Sequence, residues 1–592
     1  MDIANQRVPE KTVVQSEKEI VGQWLERLNA ALHGESQAAV ASLFAHDSHW
    51  RDLLAFTWSI TPCQGADNIA ALMVAKQGTT RAREFAIAEG RLPPRRVQRA
   101  GLDVIEGILR FETELGRGFG VVRLPAGEPA RAFQLMTSLH ELKGYEEKIG
   151  KRRPTGEAFS RNFGGTNWIE QRIAKQAYTD REPVVMIAGG GQAGLSLAAT
   201  LGHIGVDTLV VDRFERAGDC WRQRYHSLAL HNDTRFNHLP YMPFPPSWPT
   251  YLPKDMVADW FEAYTWAMEI NFWASTELVR GSYDESAGRW NAVVRHGDGT
   301  ERTLHPRHLV FANGLVGSPH IPELPGLKDF KGDVIHTTEF TQGANWRGKK
   351  SLVIGTGTSG HDVAQDLHAN GCETTIVQRG STMVISIDPS AKLTYGVYNG
   401  VPLEDGDLLA STNTKPIVKK NLQLLTARML EFDKKTIAGL IARGFKFDDG
   451  EDGAGHQWKV RTRYGGYYLD AGCSQLIIDG EVGLLQYDRI ERFVDNGALL
   501  KDGSVKAADL IVLATGFVSQ EVVVAKLLGD EIAQKVGPVW GFGADGEMSN
   551  MWKRTPQEGL WFVGGSFANC RTYSRYVAML IKAIEEGILS KR

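Results

Sequence analysis

Gly189-Gly190-Gly191-Gln192-Ala193-Gly194, preceded by Val184-Val185-Met186-Ile187, and Gly355-Thr356-Gly357-Thr358-Ser359-Gly360, preceded by Ser351-Leu352-Val353-Ile354, are two copies of one pattern. Each reads G-x-G-x-x-G, with strand-like residues before it and a helix-like stretch after it. In such a unit the first glycine makes the tight turn and the second lets the backbone approach a pyrophosphate. The third lets helix pack on strand, and the helix N-terminus then faces the phosphate charge. One match is weak; two in the same context predict two dinucleotide sites. Two nucleotides side by side point to a flavin and the nicotinamide that reduces it. The expected fold class is α/β: two Rossmann-like dinucleotide-binding domains, preceded by an α+β cone-like domain.

The rest of the chain is consistent with that reading. Its 592 residues exceed what one core serves, so roughly two to four domains are expected. With 42% hydrophobic and 23% charged residues the composition is that of a globular protein, and a net charge of -3 without a basic run gives nucleic-acid binding no support. The cysteines (Cys63, Cys220, Cys372, Cys473, Cys570) are scattered with no C-x-x-C. That argues for a reducing compartment and against a disulfide reductase, which needs a close redox pair. The opening stretch is polar, so no signal peptide is read. Residues 184–206 are apolar, but their glycines and strand–turn–helix pattern mark a nucleotide unit rather than a membrane span. A cytoplasmic enzyme with no membrane or nucleic-acid partner is expected.

Residues 1–150 read as the first domain. Val21, Trp24, Leu25, Leu28 and Leu32 repeat at helical spacing. Helical stretches near 38–44 and 68–76 follow, then strand-like runs at 104–111, 119–124 and 132–137. Helices followed by a meander suggest a curved sheet wrapped over helices. The order resembles the nuclear-transport-factor-like fold shared with small polyketide cyclases. A linker at 151–180 leads to a first nucleotide domain at 181–342. The second spans 343–470 with a helical insertion at 383–465, and residues 471–592 return to the first.

Asp212 ends the second strand of the first unit, 18 residues after Gly194, where an acid accepts hydrogen bonds from the adenosine ribose; Arg213 follows it. In the second unit that position is Arg379, 19 residues after Gly360. A guanidinium binds a 2′-phosphate that a carboxylate would repel, which predicts NADPH, with NADH still open. Between the turns, Phe330, Gly332, His336 and Phe340 form F-x-G-x-x-x-H-x-x-x-F. His336 reads as a buried histidine bonded to backbone, not a proton-transfer group. No metal-ligand cluster or Ser-His-Asp set stands out. Arg461 and Arg463, ahead of Tyr467-Tyr468, read as exposed arginines, with a cofactor contact as the alternative.

Here the chain resembles the flavin-containing monooxygenases, class B flavoprotein enzymes that carry this motif just before the NADPH turn. It is similar to their N-terminally extended bacterial branch, some of which perform Baeyer–Villiger oxidation. Gly218 and Trp221 match the family's G-G-x-W flavin loop, with Asp219 for the second Gly. Phe311-Ala312-Asn313-Gly314 and Leu513-Ala514-Thr515-Gly516-Phe517 match its two strand-to-turn crossovers, and Gly565 its C-terminal turn near the flavin. Thr358 stands where the family usually has Asn. After Tyr225-His226-Ser227-Leu228, gapless reading puts His231 at the family's flavin-facing Asn, with Asn232 next. The resemblance implies that either of these residues lies at the catalytic centre.

It also implies FAD and NADPH as cofactors. In the family, NADPH reduces FAD, reduced FAD adds O₂ as a C4a-(hydro)peroxyflavin, and one oxygen passes to a small molecule. The acceptor is an amine or sulfide heteroatom, or a ketone by Baeyer–Villiger insertion. An NADPH oxidase releasing H₂O₂ is the alternative. For the first domain, a homodimer contact is the expectation and a non-catalytic binding module the alternative. The substrate is not written in any motif.

Overall fold

The computed structural model describes residues 15–155 and 162–590; part of the expected 151–180 linker lies outside them. The chain divides into two compact units, Met1–His140 with Leu408–Thr414, and Glu141–Asp407 with Lys415–Arg592.

In the first unit, Ser16 and Glu19 close a capping box on helix Glu17–His33, whose buried face is Val21, Trp24, Leu25, Leu28, Ala31 and Leu32. Its sheet runs in the order Ile60–Gln64, Phe44–Leu53, Ala132–Leu142, Gly116–Pro125, Leu102–Glu112 and Arg83–Ile87, with Arg95–Arg99 also paired to Leu102–Glu112. The helix packs on this sheet where strand Leu102–Glu112 offers Gly107: an added Cβ there would sit 3.1 Å from Val21. The stretch expected as a helix at 38–44 is helical only over Gln37–Ala41. From Phe44 the chain is a ten-residue strand, fully buried from Ser48 to Leu53.

The second unit holds two five-stranded parallel sheets. The first runs Asn271–Trp273, Thr208–Val211, Val185–Ala188, His308–Phe311, Leu560–Phe562; the second runs Asp333–His336, Leu510–Leu513, Lys350–Ile354, Glu373–Gln378, Gly483–Gln486. Each glycine turn follows the central strand of its sheet and opens a helix, Gln192–His203 or Thr358–Ala369. The second sheet draws strands from outside the expected 343–470 range. Asp333–His336 lies before it, and Gly483–Gln486 and Leu510–Leu513 lie after it, so the return to the first sheet comes only at Leu560–Phe562. The insertion supplies helices Leu403–Ser411, Lys415–Ala442 and Gly455–Arg463, with a parallel two-stranded ribbon of Met383–Ser386 on Tyr467–Asp470.

The two passages of chain between the sheets run side by side. Val518 N–H donates to Ser318 O (3.0 Å), His320 N–H to Gly516 O (2.9 Å) and Thr515 Oγ1 to His320 O (2.6 Å), around an antiparallel bridge of Pro319 and Phe517. Among the described residues no helix is long and apolar enough to cross a membrane.

Candidate active site

Both turns are built alike. Gly189 (φ +118°) and Gly355 (φ +122°) take a conformation that L side chains avoid. An added Cβ would meet Ala312 O at 2.4 Å or Ala514 O at 2.3 Å. The two crossovers therefore press on the first glycine of each turn. The third glycines are closed by the turns themselves: a Cβ on Gly194 would lie 2.0 Å from Gly189 O, and on Gly360 2.1 Å from Gly355 O.

The second glycines are different. Gly191 (φ -81°, ψ -171°) and Gly357 (φ -78°, ψ -177°) have ordinary extended backbones as helix N-caps. A Cβ there would find nothing nearer than Cys220 Sγ at 3.9 Å or Tyr467 O at 3.8 Å. Nothing within the protein demands glycine at either position. A phosphate lying against the backbone would, and the helix N-termini behind both residues supply the N–H groups and dipole to receive it. The turns fit dinucleotides.

Around the first turn, Asp212 is buried and accepts from Gly190 N–H (2.5 Å) and Phe214 N–H (2.9 Å); burial nonetheless pushes its carboxyl up. Arg213 is exposed, its guanidinium over the Phe214 ring. Gln192 Nε2 donates to Gly565 O at 3.2 Å, joining the first turn to the C-terminal one. Gly218 (φ +91°) packs on Ala258 O, and the buried indole N–H of Trp221 has no partner among the described residues. Ala193 is buried in the helix. In the second turn, Thr358 Oγ1 reaches Tyr467 O (3.4 Å) and Ser359 is partly accessible. Arg379 is exposed at the end of strand Glu373–Gln378, and its guanidinium makes no hydrogen bond or ion pair among the described residues.

His336 is buried at the end of edge strand Asp333–His336. Its Nε2 lies 3.1 Å from Gly516 O, which can only accept, so Nε2 carries the proton. Nδ1 then accepts from Thr338 N–H (3.2 Å). Burial lowers its pKa, so the ring is a neutral clasp on the crossover. Phe330 covers Gly332, where a Cβ would strike Asp509 O at 2.2 Å, and Phe340 stacks on Trp346. The motif fastens the edge strand to the sheet.

His231 and Asn232 are partly accessible, and burial lowers the His231 pKa. A side chain both desolvated and accessible lines a recess. The Asn232 side chain is hydrogen-bonded with the Tyr395 hydroxyl, whose pKa burial pushes up to about 12. His456 is buried, its pKa held down to about 3 by burial first, then by Arg461 and His231. Its ring is 6.1 Å from that of Tyr467, and Tyr395 stacks on Phe236 at 4.5 Å. Tyr464 acts on both Tyr395 and Tyr467. A cavity of about 300 Å³, lined by Arg235, Phe236, Tyr398, Gly400, Val401 and Leu403, continues from Phe236. Arg461, expected to be exposed, is half-buried, with Nη1 on Gln457 Oε1 at 2.9 Å; Arg463 is exposed. Among the described residues no group of three His, Cys, Asp or Glu is gathered to hold a metal.

A model of the flavin-binding monooxygenase-like family matches residues 185–524. The chain belongs to this family. Indole-3-pyruvate monooxygenase YUCCA1 of Oryza sativa subsp. japonica is 31% identical over 363 residues, 61% of this chain and 83% of the relative. A flavin-containing monooxygenase from Stenotrophomonas maltophilia is 18% identical, with a TM-score of 0.47 over 69% of this chain and 99% of that one. A cyclohexanone monooxygenase from Rhodococcus sp. Phi1, bound to NADP+, is 17% identical, with a TM-score of 0.47 over 69% and 84%.

This flavin-binding monooxygenase is an oxidoreductase that uses FAD and NADPH. The flavin monooxygenase brings together residues that its sequence left unassigned: Tyr395, His456, Tyr464 and Tyr467. The Tyr464–Tyr468 aromatic cluster behind Arg461 was the available signal. Only the pairing of Met383–Ser386 with Tyr467–Asp470 brings that cluster beside the second turn.

Proposed function

We propose that this flavin monooxygenase oxygenates a small carbonyl compound in the recess of His231, Asn232, Tyr395, His456, Arg461 and Tyr467. The Gly189 turn, with Asp212 and Gly565, holds FAD on this reading, and the Gly355 turn, with Arg379, holds NADPH. FAD, when bound, supplies the redox chemistry: it takes hydride from NADPH and delivers one oxygen atom of O₂. The observation that carries the substrate class is the Arg461 guanidinium beside the His456 ring. Burial keeps the imidazoles of His456 and His231 neutral. Negative charge growing on a carbonyl oxygen is stabilised beside a guanidinium; positive charge growing on an amine or thioether is not. The Tyr395 hydroxyl keeps its proton and can donate, Asn232 orients it, and the aromatic walls exclude water. Indole-3-pyruvate, named for the rice relative, is itself a carbonyl compound.

The test is a screen of ketones and 2-oxo acids against thioethers and amines, with Arg461→Gln and Arg461→Lys. Arg461→Gln should lower kcat/KM for the carbonyl substrate by about 10²–10³-fold, with Arg461→Lys recovering part of it. Turnover of thioethers alone, or a carbonyl reaction indifferent to Arg461→Gln, would overturn the reading. Stoichiometric H₂O₂ with every compound class would make the protein an oxidase.

A further inference from the structure

The two glycine turns, built alike in backbone, differ in how one carbonyl is held. The residue after the third glycine is Leu195 in the first turn and His361 in the second. In both, its backbone N–H donates to the second glycine: Leu195 to Gly191 O (3.0 Å) and His361 to Gly357 O (3.1 Å). In the second turn the same carbonyl also meets the imidazole, with His361 Nδ1 3.2 Å from Gly357 O. A carbonyl can only accept, so Nδ1 carries the proton and donates.

The ring is fixed from behind. His361 is fully buried and stacks on Tyr468, with centroids 3.9 Å apart and planes inclined by 5°. The Tyr468 hydroxyl accepts from Ala471 N–H (2.9 Å) and Cys473 N–H (3.3 Å), and its strand Tyr467–Asp470 is paired with Met383–Ser386. Burial outweighs the pull of the Gly357 carbonyl and lowers the His361 pKa to about 4, so the ring is neutral. The other nitrogen, Nε2, is buried with no partner among the described residues. A buried acceptor without a donor costs stability, and a phenyl ring would fill this space without that cost. Packing alone does not ask for an imidazole here; the bond from Nδ1 does.

That bond acts on the atom pair a phosphate needs. Gly357 O and Thr358 N–H belong to one planar trans peptide, so they point in opposite directions. Holding the carbonyl toward the helix aims Thr358 N–H outward, where the second glycine leaves open space. Gly357 has no side chain to cap that N–H, and glycine lets a peptide rotate where other residues resist. A bound pyrophosphate would hold the peptide by itself. NADPH is consumed in the reaction, so its cradle empties in every cycle, whereas a retained flavin keeps its own cradle filled. The turn with the second anchor is the one that must keep its shape while empty.

We infer that His361 is a positioning residue for NADPH: its Nδ1–H locks the Gly357–Thr358 peptide so that Thr358 N–H is already aimed at the pyrophosphate before the nucleotide arrives. The inference rests on the reading that the Gly355 turn holds the nicotinamide nucleotide.

The test uses the full-length, FAD-loaded protein, titrated with NADP+ and with NAD+ by calorimetry. His361→Phe keeps the stacked ring and removes the donor. It should weaken NADP+ roughly 3- to 10-fold, the worth of one buried hydrogen bond, and NAD+ by the same factor, since both carry the pyrophosphate. Its urea midpoint and flavin content should not fall, and KM for NADPH should rise with kcat kept. His361→Asn, whose Nδ2 stands as many bonds from the backbone as Nδ1, should do the opposite: near-native NADP+ binding, with a lower urea midpoint from the lost stack. Wild-type NADP+ affinity in His361→Phe, or equal weakening in both variants, would overturn the role of the Nδ1 donor. Gly357→Ala separates that failure from a failure of the reading beneath it. If Gly357→Ala weakens NADP+ and His361→Phe does not, His361 alone loses its role; if Gly357→Ala binds NADP+ as the wild type does, the nucleotide lies elsewhere and both fall.

Discussion

Gly191→Ala should weaken FAD binding and leave the fold standing, whereas Gly194→Ala, three residues on, should break the fold. At Gly191 the backbone is extended and the nearest atom to an added Cβ is 3.9 Å away. Exchanging Gly for Ala at a helix N-cap costs up to about 1 kcal/mol. The stiffer unfolded chain returns roughly 0.4–1 kcal/mol, so the apo protein should hardly change. A bound pyrophosphate changes that balance. A methyl group pushed into a filled contact costs about 1–3 kcal/mol, or roughly 5- to 150-fold in the Kd for FAD. At Gly194 the Cβ would lie 2.0 Å from Gly189 O, a backbone atom that cannot move aside. There the loss falls on folding itself, at or above the top of the same range of about 3 kcal/mol. The assay is the urea midpoint of each apo protein with the flavin retained per chain and the Kd of reconstitution. Wild-type affinity in Gly191→Ala would refute the assignment of that space to a phosphate, as would an apo midpoint lowered as far as in Gly194→Ala.

Three further outcomes can be checked. Arg379→Ala should cost roughly 1.5–3 kcal/mol of NADPH binding, the loss of one charged hydrogen-bonding partner, and spare NADH; equal weakening of both would show that the guanidinium reads no 2′-phosphate. His336→Leu should lower stability by about 0.5–1.5 kcal/mol by removing the donor to Gly516 O, without moving the pH profile of kcat; a moved profile would give the ring a role in proton transfer. His456 and His361 have folded pKa values depressed to about 3 and about 4, chiefly by burial, so unfolding takes up protons as pH falls below their unfolded value. Their stabilisation is therefore present above about pH 6.5 and lost below it, by up to roughly 1.4 kcal/mol per pH unit for each ring. Asp52 and Asp362, raised to about 6, oppose this between pH 6 and 4, so the clean comparison is His456→Gln with wild type. The variant should lose less urea stability between about pH 6.5 and 4.5; parallel losses would contradict the buried neutral ring.

The parts legible from sequence are those where backbone geometry admits few residue types. Gly189 and Gly355 need a positive φ, Gly194 and Gly360 need a missing Cβ, and a strand must precede each turn. Asp212 and Arg379 follow at fixed spacing because the second strand of such a unit ends beside the first. The extent of the second sheet was harder to read: Asp333–His336 is short, and it is stabilised as a strand by pairing with Leu510–Leu513, far along the chain. The recess was harder still. Tyr395, His456 and Tyr467 are ordinary aromatic residues in an insertion without a motif, and long-range pairing alone brings them near Asn232.

The paired passages at residues 318–320 and 516–518 have a mechanical consequence. A single covalent strand between two bodies is a swivel, free to spin about its own bonds. Two strands laced together by Val518, His320 and Thr515 form a strap, and a strap bends across its width far more easily than it twists. The paired passages therefore bend across the ribbon more easily than they twist about its length. His336 grips the same Gly516 carbonyl and fixes where the strap leaves the second sheet. Such a joint resists rotation of one cradle about the ribbon's length more than it resists tilting of one cradle towards the other.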